Sequence, residues 1–360
     1  MNTFTRRSFV KTLAAGTAAL AMPTGCAVFP KNGAGGPKPS FSGKGADFSF
    51  VHLTDMHVCR RRKGYLGYRA CIESVRAIRP KVDFALMGGD LAFDGNYNEK
   101  DEFADQIQLY KSISDDLGMP YYHCMGNHDT LGLSGRRKVP VDDPDMGKKM
   151  IMDRLGWDKS YYSFDRNGWH FVVLDSIYEI QATHGPSYEA RIGKEQLEWL
   201  RYDLGAACGK PTVAVIHIAA FCNLGTINGD PEAKAIMPGM VVADSKDLRE
   251  ILERHKVKAL LQGHSHMKED YYYDGVWYLT SHAVSSCWWG GNWMGFKTGY
   301  RVLHCKGDEL AWEFCDYPWE HQLEPVDTLE RKRIAEREAF EAEQERLLEE
   351  ERAGRMVPVG

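Results

Sequence analysis

Five short stretches of the chain end in side chains that take divalent metals. They are Asp55-Met56-His57, Gly89-Asp90, Gly126-Asn127-His128-Asp129, the single His217, and Gly263-His264-Ser265-His266. Carboxylate, imidazole and amide oxygen are donors that a pair of divalent ions accepts, and none of them selects between Mn, Fe, Zn and Co. A lone Asp-x-His would carry little weight. Five such blocks in one chain point to a site built from distant segments.

The segments ahead of these blocks explain how they could meet. Short apolar runs recur: FSFVHLT, DFALMG, PYYHCM, WHFVVLD, TVAVIHI and VKALLQG. Each is rich in Val, Ile, Phe, Leu or Tyr, as buried strands are. Helical spacing fills residues 69–78, 100–117, 194–204 and 245–255, so strands and helices alternate and the fold class is α/β. In such sheets the loops beyond the carboxyl ends of strands converge on a ligand crevice. On this reading five strands deliver Asp55, His57, Asp90, Asn127, His217, His264 and His266 to one place. The i, i+2 pairs Asp55/His57 and His264/His266 are expected to share one side of their strands. After Glu269 the chain turns to aromatic stretches, YYYDGVWYLT and GYRVLHC, expected as antiparallel strands.

The order Asp-x-His, Gly-Asp, Gly-Asn-His-Asp, His, Gly-His-x-His resembles that of the calcineurin-like metallophosphoesterases, over residues 48 to 318. The resemblance implies a four-layer sandwich of two mixed β-sheets flanked by helices. It implies Asp55, His57 and His266 on one metal, Asn127, His217 and His264 on a second, and Asp90 bridging both. It implies His128 as the catalytic histidine facing the phosphate. Two ions about 4 Å apart can supply hydroxide at neutral pH and clamp the phosphoryl oxygens of an in-line displacement. A protonated His128 could stabilise the transition state or give a proton to the leaving oxygen. Asp129 either orients His128 or caps a turn.

Departures narrow the branch. Three residues after Asp90 stands Phe93, with no ligand atom, where purple acid phosphatases carry a metal-binding tyrosine and serine/threonine protein phosphatases an acid. The segment GGDLAFDG is similar to that of small bacterial phosphodiesterases and phosphohydrolases, with Asp94 left to a loop role or to one supporting the site from behind its ligands. Substrate contacts are expected from Arg60, beside the Asp-x-His loop, and from His282, Trp288, Trp289 and Asn292, in a Gly-rich aromatic segment that could wall a pocket. The reading is a phosphodiester or phosphomonoester hydrolase acting on a small-molecule or lipid-linked substrate. The rival is a non-catalytic metal-binding envelope protein of the same fold.

The ends carry separate signals. Residues 1–30 contain TRRSFVK and an Ala/Gly/Leu run, and resemble a twin-arginine signal; the run is short of the roughly 20 apolar residues of a membrane span. The expectation is a protein exported by the twin-arginine machinery to the periplasm or envelope, with Cys26 a candidate lipid tether. Residues 31–47 are a Gly/Pro/Ser/Lys linker, and 319–360 a charged, helical tail. A net charge of -5 gives no sign of a nucleic-acid partner. Nine cysteines without a CxxC pair argue against a zinc ribbon or a redox dithiol.

Overall fold

The structure is a computed structural model; it describes residues 41, 43–223 and 239–329, with 332 and 346 beyond. The signal segment, Cys26, most of the linker and most of the charged tail lie outside the described residues. The described body belongs to the compact unit Gly36–Gly360.

Among the described residues thirteen strands form the frame: β1 Phe48–Leu53, β2 Phe84–Met87, β3 Tyr121–His123, β4 Tyr162–Arg166, β5 Trp169–Val173, β6 Ile177–Ala182, β7 Gly185–Ala190, β8 Thr212–Val215, β9 Ala259–Gln262, β10 Glu269–Tyr273, β11 Val276–Thr280, β12 Gly299–Lys306 and β13 Glu309–Asp316. One sheet runs β13-β12-β1-β2-β3, a second β10-β11-β9-β8-β5-β4, and β6-β7 stands apart as a hairpin. Both large sheets are mixed. Strands β1, β2 and β3 are parallel, as are β5, β8, β9 and β11, while β12, β13, β10 and β4 pair antiparallel.

Alternating side chains explain the stacking. Phe50 and Phe84 point inward from β1 and β2 and stack at 4.9 Å, and Phe171 of β5 meets Phe84 edge-on at 5.1 Å. Leu303, Val213 and Leu261 complete this inter-sheet core. The opposite faces of both sheets bury a second apolar set against helices, including Tyr68, Ile72, Phe103, Ile107, Leu200 and Leu252. Those helices span Gly64–Ala77, Lys100–Ser114, Lys194–Ala206 and Ser245–Arg254, close to the ranges their periodicity gives. A short helix at Lys149–Leu155 and the β6–β7 hairpin carry no such periodicity. The architecture is thus α/β, with mixed sheets flanked by helices.

The ends of β1, β2, β3, β8 and β9 each lead directly into one of the five donor blocks. Two sheets therefore feed one rim.

Candidate metal centre

Five of the seven donors sit on turns just past their strands in a backbone conformation that side chains normally avoid. Asp55, His57, Asp90, His264 and His266 have φ of 56°, 43°, 51°, 70° and 58°. Non-glycine residues held there cost about 1–3 kcal/mol each and persist where the surroundings over-determine them, typically at functional sites. This differs from the expected strand alternation. Asp55/His57 and His264/His266 lie beyond β1 and β9, and left-handed turns aim each pair. Glycines make the convergence possible: a Cβ on Gly126 would stand 2.0 Å from the Asp90 nitrogen, and one on Gly263 2.2 Å from Thr54 Oγ1.

Two groups of donors result, Asp55/His57/His266 and Asp90/His217/His264, each with its ligand atoms within 4.8 Å of one another. Asp90 reaches both: its Oδ2 is 3.5 Å from His57 Nε2 and 3.1 Å from His217 Nε2. Asp55 Oδ1 lies 3.3 Å from His266 Nε2. The rings are oriented from behind by main-chain oxygens. His57 Nδ1 meets Phe93 O at 3.1 Å, His217 Nδ1 meets Gly88 O at 2.8 Å, and His266 Nδ1 meets Ser286 O at 2.5 Å. A proton on each Nδ1 leaves the Nε2 lone pair facing the site, the arrangement by which metal-binding histidines are held.

A cation fits this donor set. His57 Nε2 and His266 Nε2 face each other at 3.2 Å, and two lone pairs at that distance call for a positive charge between them. The buried Asn127 Oδ1 has no hydrogen-bond partner, although buried amide oxygens nearly always have one. The electrostatics agree in part: burial works to discharge His217, but Asp90 and Asp55 raise its pKa to about 9, so without a metal its Nε2 holds a proton that a bound ion would displace. Burial favours neutral Asp90, but His217 and His128 outweigh it and hold the carboxyl well below the usual range. Burial pushes His57 down to about 3 and His264 to about 4, which leaves both rings unprotonated as ligands must be.

His128 stands at the rim, its backbone N–H bonded to Asp90 Oδ1 at 2.8 Å and its ring 5.0 Å from that of His57. Burial works to discharge it, yet Asp90 and Asp94 lift its pKa to about 9. The Asp94 Oδ1 lies 3.5 Å from His128 Nδ1, so Asp94 is the acid beside this histidine. Asp129, offered by sequence as its orienter or as a cap, is the cap: it accepts from the backbone N–H of Gly126 at the start of its own turn at 2.9 Å, and from those of Leu91 and Ala92 at 2.9 and 3.1 Å. It ties two donor loops together and makes no contact with the imidazole that would assign it to catalysis.

The expected substrate residues separate. Trp288 is half-buried with its ring 4.3 Å from His266 and 5.5 Å from His57. Trp289 is fully buried in a notch left by Gly64 and Gly67, and its Nε1 donates to His57 O at 2.9 Å; it supports a donor loop and walls no pocket. Arg60 is exposed and bonded to Asp105 by two contacts of 2.8 and 2.7 Å. His282 is buried against Gly299 and Asp316, and Asn292 is exposed in a surface depression with Asp316 and Trp319. These three do not line the metal donors, because β12, β13 and the helix at 100–114 claim the space or the charge. A residue not anticipated is Tyr188 of β7. Its phenol meets the Asn127 side chain and lies in the field of Asp90 and Asp94, which with burial raises its pKa. Nothing in GPSYEA signals this, since the hairpin reaches the rim only through the fold.

A family profile described as calcineurin-like phosphoesterase matches residues 48–268. The chain is 23% identical over 250 residues to a probable cyclic nucleotide phosphodiesterase of Xenorhabdus bovienii, covering 67% of this chain and 87% of that one. It is 24% identical over 287 residues to a 3',5'-cyclic-nucleotide phosphodiesterase of Nostoc, covering 77% and 92%. A serine/threonine-protein phosphatase, CPPED1, of Mus musculus is 25% identical over 242 residues, covering 65% and 70%. Among solved structures, a dimetal phosphatase from Danio rerio superposes with a TM-score of 0.54 at 13% identity, over 77% of this chain and all of that one. A purple acid phosphatase from yellow lupin gives 0.51 at 13% identity, over 81% and 56%; at such identities these likenesses concern the fold alone. With that match over most of its sheets and its donors gathered on one rim, the chain belongs to the calcineurin-like phosphoesterase family and is a phosphoric ester hydrolase.

Proposed function

We propose that the protein is a two-metal phosphodiesterase, with cyclic nucleotides the first substrate class to test. The observation that carries the reading is the paired donor set around Asp90, with His128 poised beside it. The names of the two bacterial relatives support the diester and nucleotide assignment. Asp55, His57 and His266 would hold one ion, and Asn127, His217 and His264 the other, with Asp90 shared. Bound divalent ions supply a water-derived nucleophile at neutral pH and neutralise charge on the phosphoryl group. The chain's own residues do the rest. Main-chain oxygens hold the imidazoles, Asp94 holds the His128 ring, and His128 keeps a proton for the leaving oxygen. Phe93 offers no side-chain donor, so the two ions would be bound without a phenolate.

The Arg6-Arg7 segment supports a second part of the reading, action outside the cytoplasm after twin-arginine export. An Arg6→Lys, Arg7→Lys variant retained in the cytoplasm would agree, and unchanged export would contradict it.

The activity test uses metal-free protein reconstituted with Mn2+, assayed on bis(p-nitrophenyl) phosphate and 3',5'-cyclic AMP. Turnover should appear with metal and vanish on chelation. His128→Ala should lower kcat by about 10²–10⁴. Full activity in Asp90→Asn would overturn the reading.

A further inference from the structure

The residues 318–329 lie beyond the matched family region, yet they are tied to the metal rim through one arginine. Arg62 follows the Asp-x-His loop in a left-handed conformation, φ 50°. Its Nε donates to Asp327 Oδ2 at 2.9 Å, and its Nη2 contacts Asp327 Oδ1. Its backbone N–H donates to Glu324 Oε1 at 3.0 Å. Its Nη1 turns the other way and donates to the main-chain oxygen of Trp288 at 2.8 Å. Gly290 leaves room for this, since a Cβ there would stand 3.1 Å from the guanidinium carbon. Two further contacts fix the same segment: His321 Nδ1 lies 3.1 Å from Trp289 O, and the Trp319 ring packs edge-on against Trp289.

Asp327 is 4% exposed, which is unusual for an acid in a charged terminal region. A partly buried bidentate Arg-carboxylate pair fixes geometry as well as charge. Here the geometry it fixes is that of Trp288, whose backbone is itself left-handed at φ 45°. The Trp288 indole lies tilted against His266 and His57, and Trp293 meets it edge-on at 5.7 Å. A partly exposed indole beside a phosphate site is a stacking platform for a planar group attached to that phosphate.

We propose that residues 318–329 form a positioning strap, in which Asp327 and Arg62 set Trp288 to stack on the nucleobase of a nucleotide substrate. Arg62 and Asp327 are positioning residues, and Trp288 is the specificity-determining one. The inference rests on the phosphodiesterase reading and deepens it by naming the side chain that would hold the base and the segment that positions it.

The test measures calorimetric binding of adenosine 5'-monophosphate and of inorganic phosphate to the metal-loaded full chain. It adds hydrogen exchange of amides 286–290. Trp288→Ala and Asp327→Ala should each weaken the nucleotide about tenfold, the size of a lost base stack, and leave inorganic phosphate within about twofold. Asp327→Ala should also speed exchange at 286–290, and Asp327→Glu should restore most of both effects. Equal losses for nucleotide and phosphate, unchanged exchange in Asp327→Ala, or no preference of the wild type for the nucleotide over phosphate would each overturn the strap. Absence of turnover with nucleotide binding intact would overturn the phosphodiesterase reading alone.

Discussion

At the residue scale the most informative pair is His128 and Asp94. The imidazole lies close to the Asp90 and Asp94 carboxylates, which outweigh burial and keep it protonated up to about pH 9. A step that needs this proton runs below that pH and fails as the pH rises through it. Removing the Asp94 charge lowers the His128 pKa, so Asp94→Asn should move the alkaline limb of kcat to lower pH and cut kcat at pH 8 about tenfold. A pH-rate profile with an unmoved alkaline limb would contradict the role given to Asp94. Its carboxylate also accepts from the backbone N–H of Asn96 and Tyr97, so a thermal melt of the variant separates a loosened turn from a lost partner.

Donor identity was legible in the sequence because metal-binding side chains are rare at the ends of apolar runs. What lay out of sight at this scale was orientation. Phe93 acts through its carbonyl on His57, and a carbonyl leaves no mark in sequence. Asp129 follows His128 directly in the chain while Asp94 belongs to another block, and only the turn geometry shows that the distant carboxylate faces the ring and the adjacent one the backbone.

At the element scale the rim depends on pieces that carry no chemistry. Trp289 fills the notch on the helix Gly64–Ala77 and holds the His57 carbonyl. Trp289→Ala should destabilise the fold by about 3–5 kcal/mol in chemical denaturation. Loss under 1 kcal/mol would show that the notch is not a packing site. On the far sheet, His170 of β5 bridges Asp165 of β4 and Asp203 of the helix Lys194–Ala206, at 2.9 Å each. Burial opposes its charge, but these carboxylates prevail and raise its pKa. A raised histidine contributes stability fully below its unfolded value of about 6.5 and loses it as pH rises through the folded value. His170→Asn should therefore lower Tm more at pH 5.5 than at pH 9. Equal losses at both would place the contribution in packing. Strands and long helices were legible because burial imposes their periods, whereas the β6–β7 hairpin and the Trp289 notch depend on contacts between segments distant in sequence.

At the scale of the whole molecule, two sheets with separate hydrophobic faces bring five strand ends to one rim, and the left-handed turns that aim the donors are held by the frame behind them. Within the described residues no helix is long and apolar enough to cross a membrane. The family was legible because its blocks keep their order. The substrate was not, because the wall that would select it, Trp288 with its Arg62–Asp327 support, is assembled from opposite ends of the body. The central claim is that the donors around Asp90 form a catalytic two-ion centre. It is tested most directly by titrating metal-free protein with Mn2+ while measuring bound metal and bis(p-nitrophenyl) phosphate hydrolysis on the same sample. The account predicts two ions per chain, with turnover completed as the second site fills. Two ions bound without turnover on that ester, or on cyclic AMP, would contradict it.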